Sequence, residues 1–300
     1  MLRWHLTATH AKDWFQYACE RKLAFSAIRG DGGEAAALCL PKAKPLDGVM
    51  LRFGREFEVQ VVDHLEGEVG AEVIHHESRN GLGEWEKLDA ERTLAALLKP
   101  PCPGYIHQAV LDAEVDAGDL DAWWMPRPDA MTLGRNYVDL IRIEPGNPPT
   151  AVVIDIKASR VSRLFHQTQV AWYAMLLEAM IQRDPRLRGQ LAVSAYGEIW
   201  HLGSGDGLLW EVDRFPLAPF RRQIRSFVGS VLPRLELTRP GFDAWQVPRF
   251  HLYHKCEQCP YFSADSTVDG SGYCWQSVEG ANPNADHLGV DVVMSARRVQ

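Results

Sequence analysis

The chain has 300 residues and a formal net charge of −7, with 46% apolar and 24% charged residues. This composition is ordinary for a globular protein with a large core, and it excludes a generally basic coat for nucleic acid while allowing a local basic groove. No apolar run is long enough to span a bilayer and the N-terminus has no signal-peptide core, so we expect a cytoplasmic protein without a membrane partner.

The first hundred residues are expected to be mainly helical. Apolar positions spaced for one helix face predict helices over residues 7–25, 53–65 and 88–98. Pro100 stops the third helix, and the Gly-, Ala- and Pro-rich stretch over residues 30–50 is expected to be a loop.

The apolar period then changes to that of short strands separated by prolines. The predicted strands are 105–115, 122–125, 130–133, 137–143 and 151–156, followed by a helix over 165–181, strands over 191–200 and 208–212, and a helix over 220–237. We expect the last helix to be kinked or broken at Pro233. The mixture of strands and helices predicts an α/β protein.

An acid and a lysine interrupt the apolar strand Ala151-Val-Val-Ile-Asp-Ile-Lys157. Because side chains alternate along a strand, Asp155 and Lys157 point to one face and Ile156 to the other. A salt bridge at the end of a strand is the plain alternative for a single Asp-x-Lys pattern.

Three further features accompany this pattern in a fixed order. Glu56 and Glu58 lie on the helix upstream, Pro128-Asp129 lies at a break between strands, and Gln169 and Tyr173 lie one turn apart on the next helix. The order resembles the PD-(D/E)XK nuclease superfamily and, within it, the RecB-like exonucleases. The resemblance implies a restriction-endonuclease-like core, with a central mixed β-sheet flanked by helices, and the hydrolysis of phosphodiester bonds.

The resemblance also implies roles for single residues. The ligands of Mg²⁺ or Mn²⁺ would be Glu58, with Glu56 in reserve, Asp129, Asp155 and the carbonyl of Ile156. Lys157 would orient or deprotonate the attacking water, or stabilise charge that develops on the phosphate. Gln169 and Tyr173 would face the substrate strand, although core packing is an alternative for Tyr173.

The cysteines suggest a second cofactor. Cys256 and Cys259 form a C-x2-C pair, with Cys19 far upstream and Cys274 downstream. This arrangement resembles the iron–sulfur RecB-like nucleases of the AddB and CRISPR-associated types, which implies four thiolate ligands to one [4Fe–4S] cluster. The gap before Cys274 is longer than in that family, and a structural zinc ion on the same thiolates is the alternative. We interpret the other two cysteines, Cys39 and Cys102, as buried or incidental thiols.

The predicted domain organisation is one nuclease domain over residues 1–280. Its parts are a helical region at 1–100 with Cys19 and Glu58, the core at 101–237 and a cysteine-rich cluster segment at 238–280, followed by the start of another segment at 281–300. The expected activity is that of a metal-dependent DNA nuclease, an exonuclease on single strands or free ends in repair, recombination or defence. A helicase or another module is an expected partner. The alternatives are a catalytically silent DNA-binding or assembly module and a zinc-stabilised interaction protein.

Overall fold

The computed structural model describes residues 2–30, 48–70, 74–81, 83, 85–111, 131–203, 209–232, 255, 256, 259 and 261. Its contacts divide the chain into two compact units. The sheet unit comprises Leu6–Phe15 and Asp47–Arg234, and the terminal unit comprises Met1–His5, Gln16–Leu46 and Leu235–Gln300. In the described residues we find no helix with both the length and the apolar character needed to cross a membrane.

The sheet unit is built on a mixed β-sheet. Its strands are β3 (Ile74–His75), β4 (Gly104–Leu111), β6 (Asn136–Glu144), β7 (Thr150–Lys157), β8 (Ala192–Val193), β9 (Tyr196–Leu202) and β10 (Trp210–Pro216). They lie in the order β10-β9-β7-β6-β4-β3, with β8 also paired to β7. The short strand β5 (Met131–Leu133) is not part of this sheet. The β7–β9 and β3–β4 pairs are parallel, and the β6–β7, β4–β6 and β9–β10 pairs are antiparallel. Helices flank this sheet, which confirms the predicted α/β class with a central mixed sheet.

Helix α3 (Gly48–Val69) covers one face of the central strand β7. Its apolar side chains at Phe57, Val61 and Leu65 belong to the same buried cluster as Ile154 and Ile156. Because side chains alternate along a strand, Asp155 and Lys157 point to the opposite face. Burial of the flanking positions therefore fixes the direction of the two polar side chains.

Helix α5 (Leu164–Arg183) is buried along most of its length. It lies so close to β9 that a Cβ atom added at Gly197 would be 2.5 Å from Cγ1 of Val170. Trp172, on the same helix, is fully buried. This packing holds the N-terminal half of α5 beside the end of β7, where the polar residues gather.

Several predicted boundaries differ from the structure. Helix α3 starts earlier than predicted and continues to Val69, while α4 (Ala90–Leu98) begins after Asp89, whose carboxylate accepts the Arg92 N–H. The predicted strand 191–200 is broken because the Ser194 hydroxyl accepts the Tyr196 N–H, in competition with the sheet. The predicted strand 122–125 lies outside the described residues.

The predicted helix over residues 220–237 is not a uniform α-helix where the structure describes it. The α-helix α6 (Ala218–Ser226) passes into a π-helical turn, Phe227–Val231. At this turn Phe227 stacks on Trp14 at a ring-centroid distance of 5.4 Å and meets Phe15 edge-on. Pro233, the expected breaking point, lies outside the described residues.

The predicted single helix over residues 7–25 is also wrong. The structure has α1 (Ala8–Tyr17) and α2 (Glu20–Ala27), separated by Ala18 in the left-handed region with φ of 47°. Beyond this break, the carbonyl of Cys19 accepts the first hydrogen bond of α2, from the Leu23 N–H. In the terminal unit, β1 (Leu2–Leu6) pairs with β2 (Ile28–Gly30) in antiparallel fashion through Leu2–Gly30 and Trp4–Ile28.

A buried ion pair stabilises the sheet. Two guanidinium nitrogens of Arg142 donate to the two carboxylate oxygens of Glu198 at 2.7 and 2.6 Å, and Trp200 Nε1 donates to the same carboxylate at 3.0 Å. Burial alone raises the pKa of Glu198, but these hydrogen bonds outweigh it, so the pKa lies below its ordinary value. Glu144 also contacts Arg142, but its side chain is 37% exposed, against 3% for Glu198.

We expect Glu198→Gln to lower the free energy of unfolding by about 3 kcal/mol at pH 7, because it removes the buried carboxylate charge that the Arg142 guanidinium pairs with and leaves only the more exposed Glu144. A carboxylate with a lowered folded pKa contributes its stability above the unfolded pKa and loses it as the pH falls through the folded value. The difference between the wild type and Glu198→Gln in urea unfolding should therefore shrink in acid. The matched change at the exposed neighbour, Glu144→Gln, should cost at most about 1 kcal/mol. Equal effects of both variants would contradict this assignment.

Candidate active site

Asp155 and Lys157 form the centre of a polar cluster at the end of β7. Lys157 Nζ lies 2.7 Å from Asp155 Oδ1. The Asp155 side chain is fully buried, and its other oxygen, Oδ2, is buried without a hydrogen-bond partner among the described residues. An unpartnered buried carboxylate oxygen is costly unless a cation or donor meets it.

Asp139 is brought to the same place by the neighbouring strand β6. Leu140 pairs with Ile154 in the antiparallel β6–β7 ladder, which sets Asp139 beside Asp155. The Asp139 Oδ2 atom accepts the Ile156 N–H at 2.8 Å and lies 3.7 Å from Lys157 Nζ.

Asp139 was not among the residues predicted from the sequence, although a signal for it was present. It is an acid inside the strand that comes directly before that of Asp155, and consecutive strands commonly pair. The residue selected instead, Asp129, lies outside the described residues. Ile156 is buried next to both aspartates, and the role of its carbonyl as a ligand stays a prediction.

Helix α3 brings Glu58 to the cluster. This is the helix on which the resemblance implied an acidic metal ligand. His107 Nε2 lies 3.1 Å from Glu58 Oε1, and Gln108 Nε2 donates to the same oxygen. Burial raises the pKa of Glu58, but the hydrogen bonds from His107 and Gln108 and the charge of Lys157 outweigh it and lower the pKa overall. Glu56, the reserve candidate, is exposed.

No sequence signal pointed to the two residues of β4 that hold Glu58. His107 is almost fully buried, and Gln108 adopts a positive φ of 51°. A positive φ is uncommon for a non-glycine residue. Their contacts with Glu58 join residues about fifty positions apart in the sequence, so only the tertiary fold reveals them.

The Asp139 and Asp155 carboxylates lie 3.7 and 2.7 Å from the Lys157 ammonium nitrogen, and the Glu58 carboxylate interacts with the same group through its charge. Burial holds the pKa of Asp139 well above its ordinary value against the lowering effect of Lys157, and the Asp155 and Glu58 carboxylates add to the rise. Burial lowers the pKa of Lys157, but Asp155 and Asp139 outweigh it and raise the pKa above its ordinary value. Lys157 is therefore held in its charged form, which favours charge stabilisation over proton abstraction as its role.

Helix α5 adds the two residues predicted from the Gln-x3-Tyr pattern. Gln169 Nε2 lies 2.8 Å from the Tyr173 hydroxyl oxygen, and the Gln169 Oε1 atom is buried without a partner among the described residues. Burial raises the pKa of Tyr173, and the Asp155 and Asp139 carboxylates add to the rise. Burial lowers the pKa of His166, one turn earlier, to about 4, although the charge of Asp155 acts in the opposite direction. His166 was not predicted from the sequence.

The donor set at this site fits a hard divalent cation. Carboxylate oxygens are the ligands that Mg²⁺ prefers, and a divalent charge would balance three ionised carboxylates beside one ammonium group. The unpartnered Asp155 Oδ2 atom is a ready ligand position. In the structure the Lys157 ammonium supplies the positive charge, and across the described ranges no three His, Cys, Asp or Glu side chains form a ready metal-binding group.

The structure describes three of the four predicted cluster cysteines, Cys19, Cys256 and Cys259, all in the terminal unit. The Cys259 N–H donates to the Cys256 carbonyl at 3.0 Å, and the Lys22 N–H donates to Cys19 Sγ at 3.4 Å. Burial raises the pKa of Cys259 to about 11, and the charges of Cys19 and Cys256 add to the rise. Lys255 Nζ donates to the Gln16 carbonyl at 2.6 Å, which ties the late segment to the early one.

Of the three remaining cysteines, Cys102 is the one that the structure describes. Cys102 is exposed, so it is not the buried thiol that was one of the two expectations for it. Cys274 and Cys39 lie outside the described residues. Soft thiolates are suited to iron–sulfur clusters and zinc, but the three described thiols, Cys19, Cys256 and Cys259, do not form a ready metal-binding group.

A comparison of the sequence with models of protein families finds no match, and a comparison with curated proteins finds none either. Function is therefore inferred from the residues and their geometry.

Proposed function

We propose that the chain is a metal-dependent nuclease with a PD-(D/E)XK-type active site in a restriction-endonuclease-like core. The observation that carries the proposal is the convergence of Glu58, Asp139, Asp155 and Lys157 from a helix and two adjacent strands. In this proposal Asp139 takes the part that was predicted from the sequence for Asp129.

The chemistry of the cluster fits the hydrolysis of a phosphodiester. A bound Mg²⁺ or Mn²⁺ would polarise the phosphate and lower the pKa of an attacking water. Glu58, Asp139 and Asp155 would hold that ion, with His107 and Gln108 fixing the Glu58 carboxylate. Gln169 and Tyr173 would orient the substrate strand from α5.

The role of Lys157 follows from its charge. The flanking carboxylates keep its ammonium group protonated, so it can stabilise negative charge on the phosphate oxygens in the transition state. Charge stabilisation is one of the three roles that the sequence left open for Lys157. The ion pair with Asp155 also holds the ammonium group in place before substrate binds.

The biological setting is part of the proposal. We infer a cytoplasmic exonuclease that acts on single-stranded or free DNA ends in repair, recombination or defence, together with a helicase or another module. A [4Fe–4S] cluster, or a zinc ion on the same cysteines, would stabilise the terminal unit. One observation favours a silent DNA-binding module instead: Lys157 already neutralises part of the cluster where an ion is required.

Cleavage of end-labelled DNA by the purified protein tests the proposal. We expect cleavage with Mn²⁺ or Mg²⁺ that EDTA abolishes and added metal restores. Lys157→Met should lower kcat by roughly 10²- to 10³-fold with a small change in KM, because the charge acts mainly in the transition state. Lys99→Met, at the exposed end of α4, is the matched control and should cleave like the wild type. DNA binding without metal-dependent cleavage in any condition would support the silent module.

A further inference from the structure

A cavity of about 350 Å³ opens beside the carboxylates of the candidate active site. Glu58 and Asp139 line it on the side of the proposed metal site, and Arg55, Trp85, Lys87 and Tyr137 line it elsewhere. The functions assigned above use the two acids and Gln108, which also lines the cavity. The remaining wall combines cationic and aromatic side chains, which is the combination that binds single-stranded nucleic acid.

Lys87 presents a positive charge to this cavity. Its ammonium nitrogen lies 3.9 Å from the centre of the Tyr137 ring, and its side chain pairs with no carboxylate in the described parts of the chain. Tyr137 lies two positions before Asp139 on β6, so both side chains point to the same face of the sheet. The cation is therefore held by an aromatic ring next to the acids, and its charge is available to a phosphate.

Trp85 presents a hydrogen-bond donor. Its indole Nε1 is buried, with no acceptor among the described residues. The ring is held in place by the Arg79 guanidinium, 4.4 Å from its centre, and by the His76 ring at 4.0 Å. A buried donor without a partner is destabilising, and an acceptor on a bound ligand would satisfy it.

We propose that this cavity binds one unpaired nucleotide next to the phosphate that is cleaved, and so selects single-stranded nucleic acid. The proposal rests on the nuclease function proposed above and assigns the residues by which that site would recognise a single strand. Lys87 contacts a backbone phosphate, while Tyr137 and Trp85 contact the base. A base can enter only if it is unstacked and unpaired, and the cavity has room for one nucleotide and not for a base pair within a duplex.

Binding in the presence of Ca²⁺, measured by fluorescence anisotropy with labelled single-stranded and duplex oligonucleotides, tests this site without turnover. Lys87→Met and Tyr137→Leu should each raise the Kd for the single strand by roughly 5- to 100-fold, the range for loss of one base or phosphate contact. The Kd for the duplex should change less. Lys87 is exposed, so its replacement leaves the fold intact even if Tyr137→Leu unfolds.

The chain offers a matched control for each variant. Tyr196 is an exposed tyrosine with the Arg214 guanidinium 5.0 Å from its ring, and Lys99 is an exposed lysine. Tyr196→Leu and Lys99→Met should bind like the wild type. An unchanged Kd in Lys87→Met, or equal losses for single strand and duplex, would overturn the proposed site.

Hydrolysis of two substrates with Mn²⁺ separates this inference from the proposed function. Lys87→Met should lose activity on the single strand through a higher KM, yet hydrolyse bis(p-nitrophenyl) phosphate, which has no base or second phosphate, at the rate of the wild type. A wild type that hydrolyses neither substrate contradicts the nuclease proposal. A wild type that cleaves DNA, beside a Lys87→Met variant with the same KM, contradicts only the nucleotide site.

Discussion

Asp155→Asn and Asp139→Asn are each expected to lower the rate of DNA cleavage by on the order of 10³-fold or more. Removal of a single donor that stabilises a transition state already costs roughly 10²- to 10³-fold, and each aspartate is proposed to hold the metal ion itself. The exchange keeps the shape of the side chain, and in Asp139→Asn the amide oxygen can still accept the Ile156 N–H that the carboxylate now accepts. The loss should therefore come from the charge and not from misfolding.

The same Asp139→Asn exchange should stabilise the metal-free protein. Burial and two neighbouring carboxylates hold the pKa of Asp139 above its unfolded value. A group with a raised folded pKa contributes stability below its unfolded pKa and loses it as the pH rises through the folded value. At neutral pH in EDTA the raised pKa of Asp139 is thus destabilising, and its uncharged replacement should raise the free energy of unfolding.

Urea unfolding with and without Mn²⁺ tests whether Asp139→Asn stabilises the metal-free protein although it lowers the rate of cleavage. An ion that binds only the folded state adds about 2.7 kcal/mol at a hundred times its Kd, and the wild type should show such a gain while Asp139→Asn shows little. Asp213→Asn, on the edge strand β10, should change neither cleavage nor the response to Mn²⁺. Near-normal cleavage by Asp155→Asn, or an equal gain with Mn²⁺ in Asp139→Asn, would refute the assignment of the carboxylates as ligands.

The sequence was sufficient for the part of the site that lies on one strand. Alternation along Ala151–Lys157 put Asp155 and Lys157 on one face, and the structure has them 2.7 Å apart. Alternation is a local relation, and local periodicity is what a single sequence encodes most directly. Glu58 was selected in a different way, through the resemblance to the PD-(D/E)XK nucleases, which implies a metal ligand on the helix upstream.

The parts of the site that the sequence missed depend on contacts across the sheet. Asp139 enters through the register of β6 against β7, and His107 and Gln108 enter because β4 pairs with β6. A register shift of one residue would turn Asp139 to the other face, so the order of the strands could suggest this acid but could not place it beside Asp155. The break before Cys19 was missed for a different reason, since alanine gives no sign of a left-handed conformation.

The second large expected effect is a loss of stability when the cysteines of the proposed metal site are replaced. Cys19 and Cys256 are separated by most of the chain, yet they lie near Cys259 in one unit. A shared metal group would close a very long loop, and on the chain-entropy model a cross-link of that kind restricts the unfolded state by roughly 4–5 kcal/mol. Bonds from the thiolates to the metal would add to this.

Cys19→Ser and Cys256→Ser are therefore expected to give protein that lacks the metal and is readily cleaved by proteases. Activity should be lost through disorder, because no thiolate is proposed to contact the phosphate. Cys102→Ser is the matched control, since this exposed thiol lies in the sheet unit, and it should keep both metal and activity. Elemental analysis for iron, sulfide and zinc, with the visible spectrum, distinguishes the two cofactors. Full metal content in Cys256→Ser would contradict the shared site, whereas full content in Cys274→Ser would mean that another group is the fourth ligand.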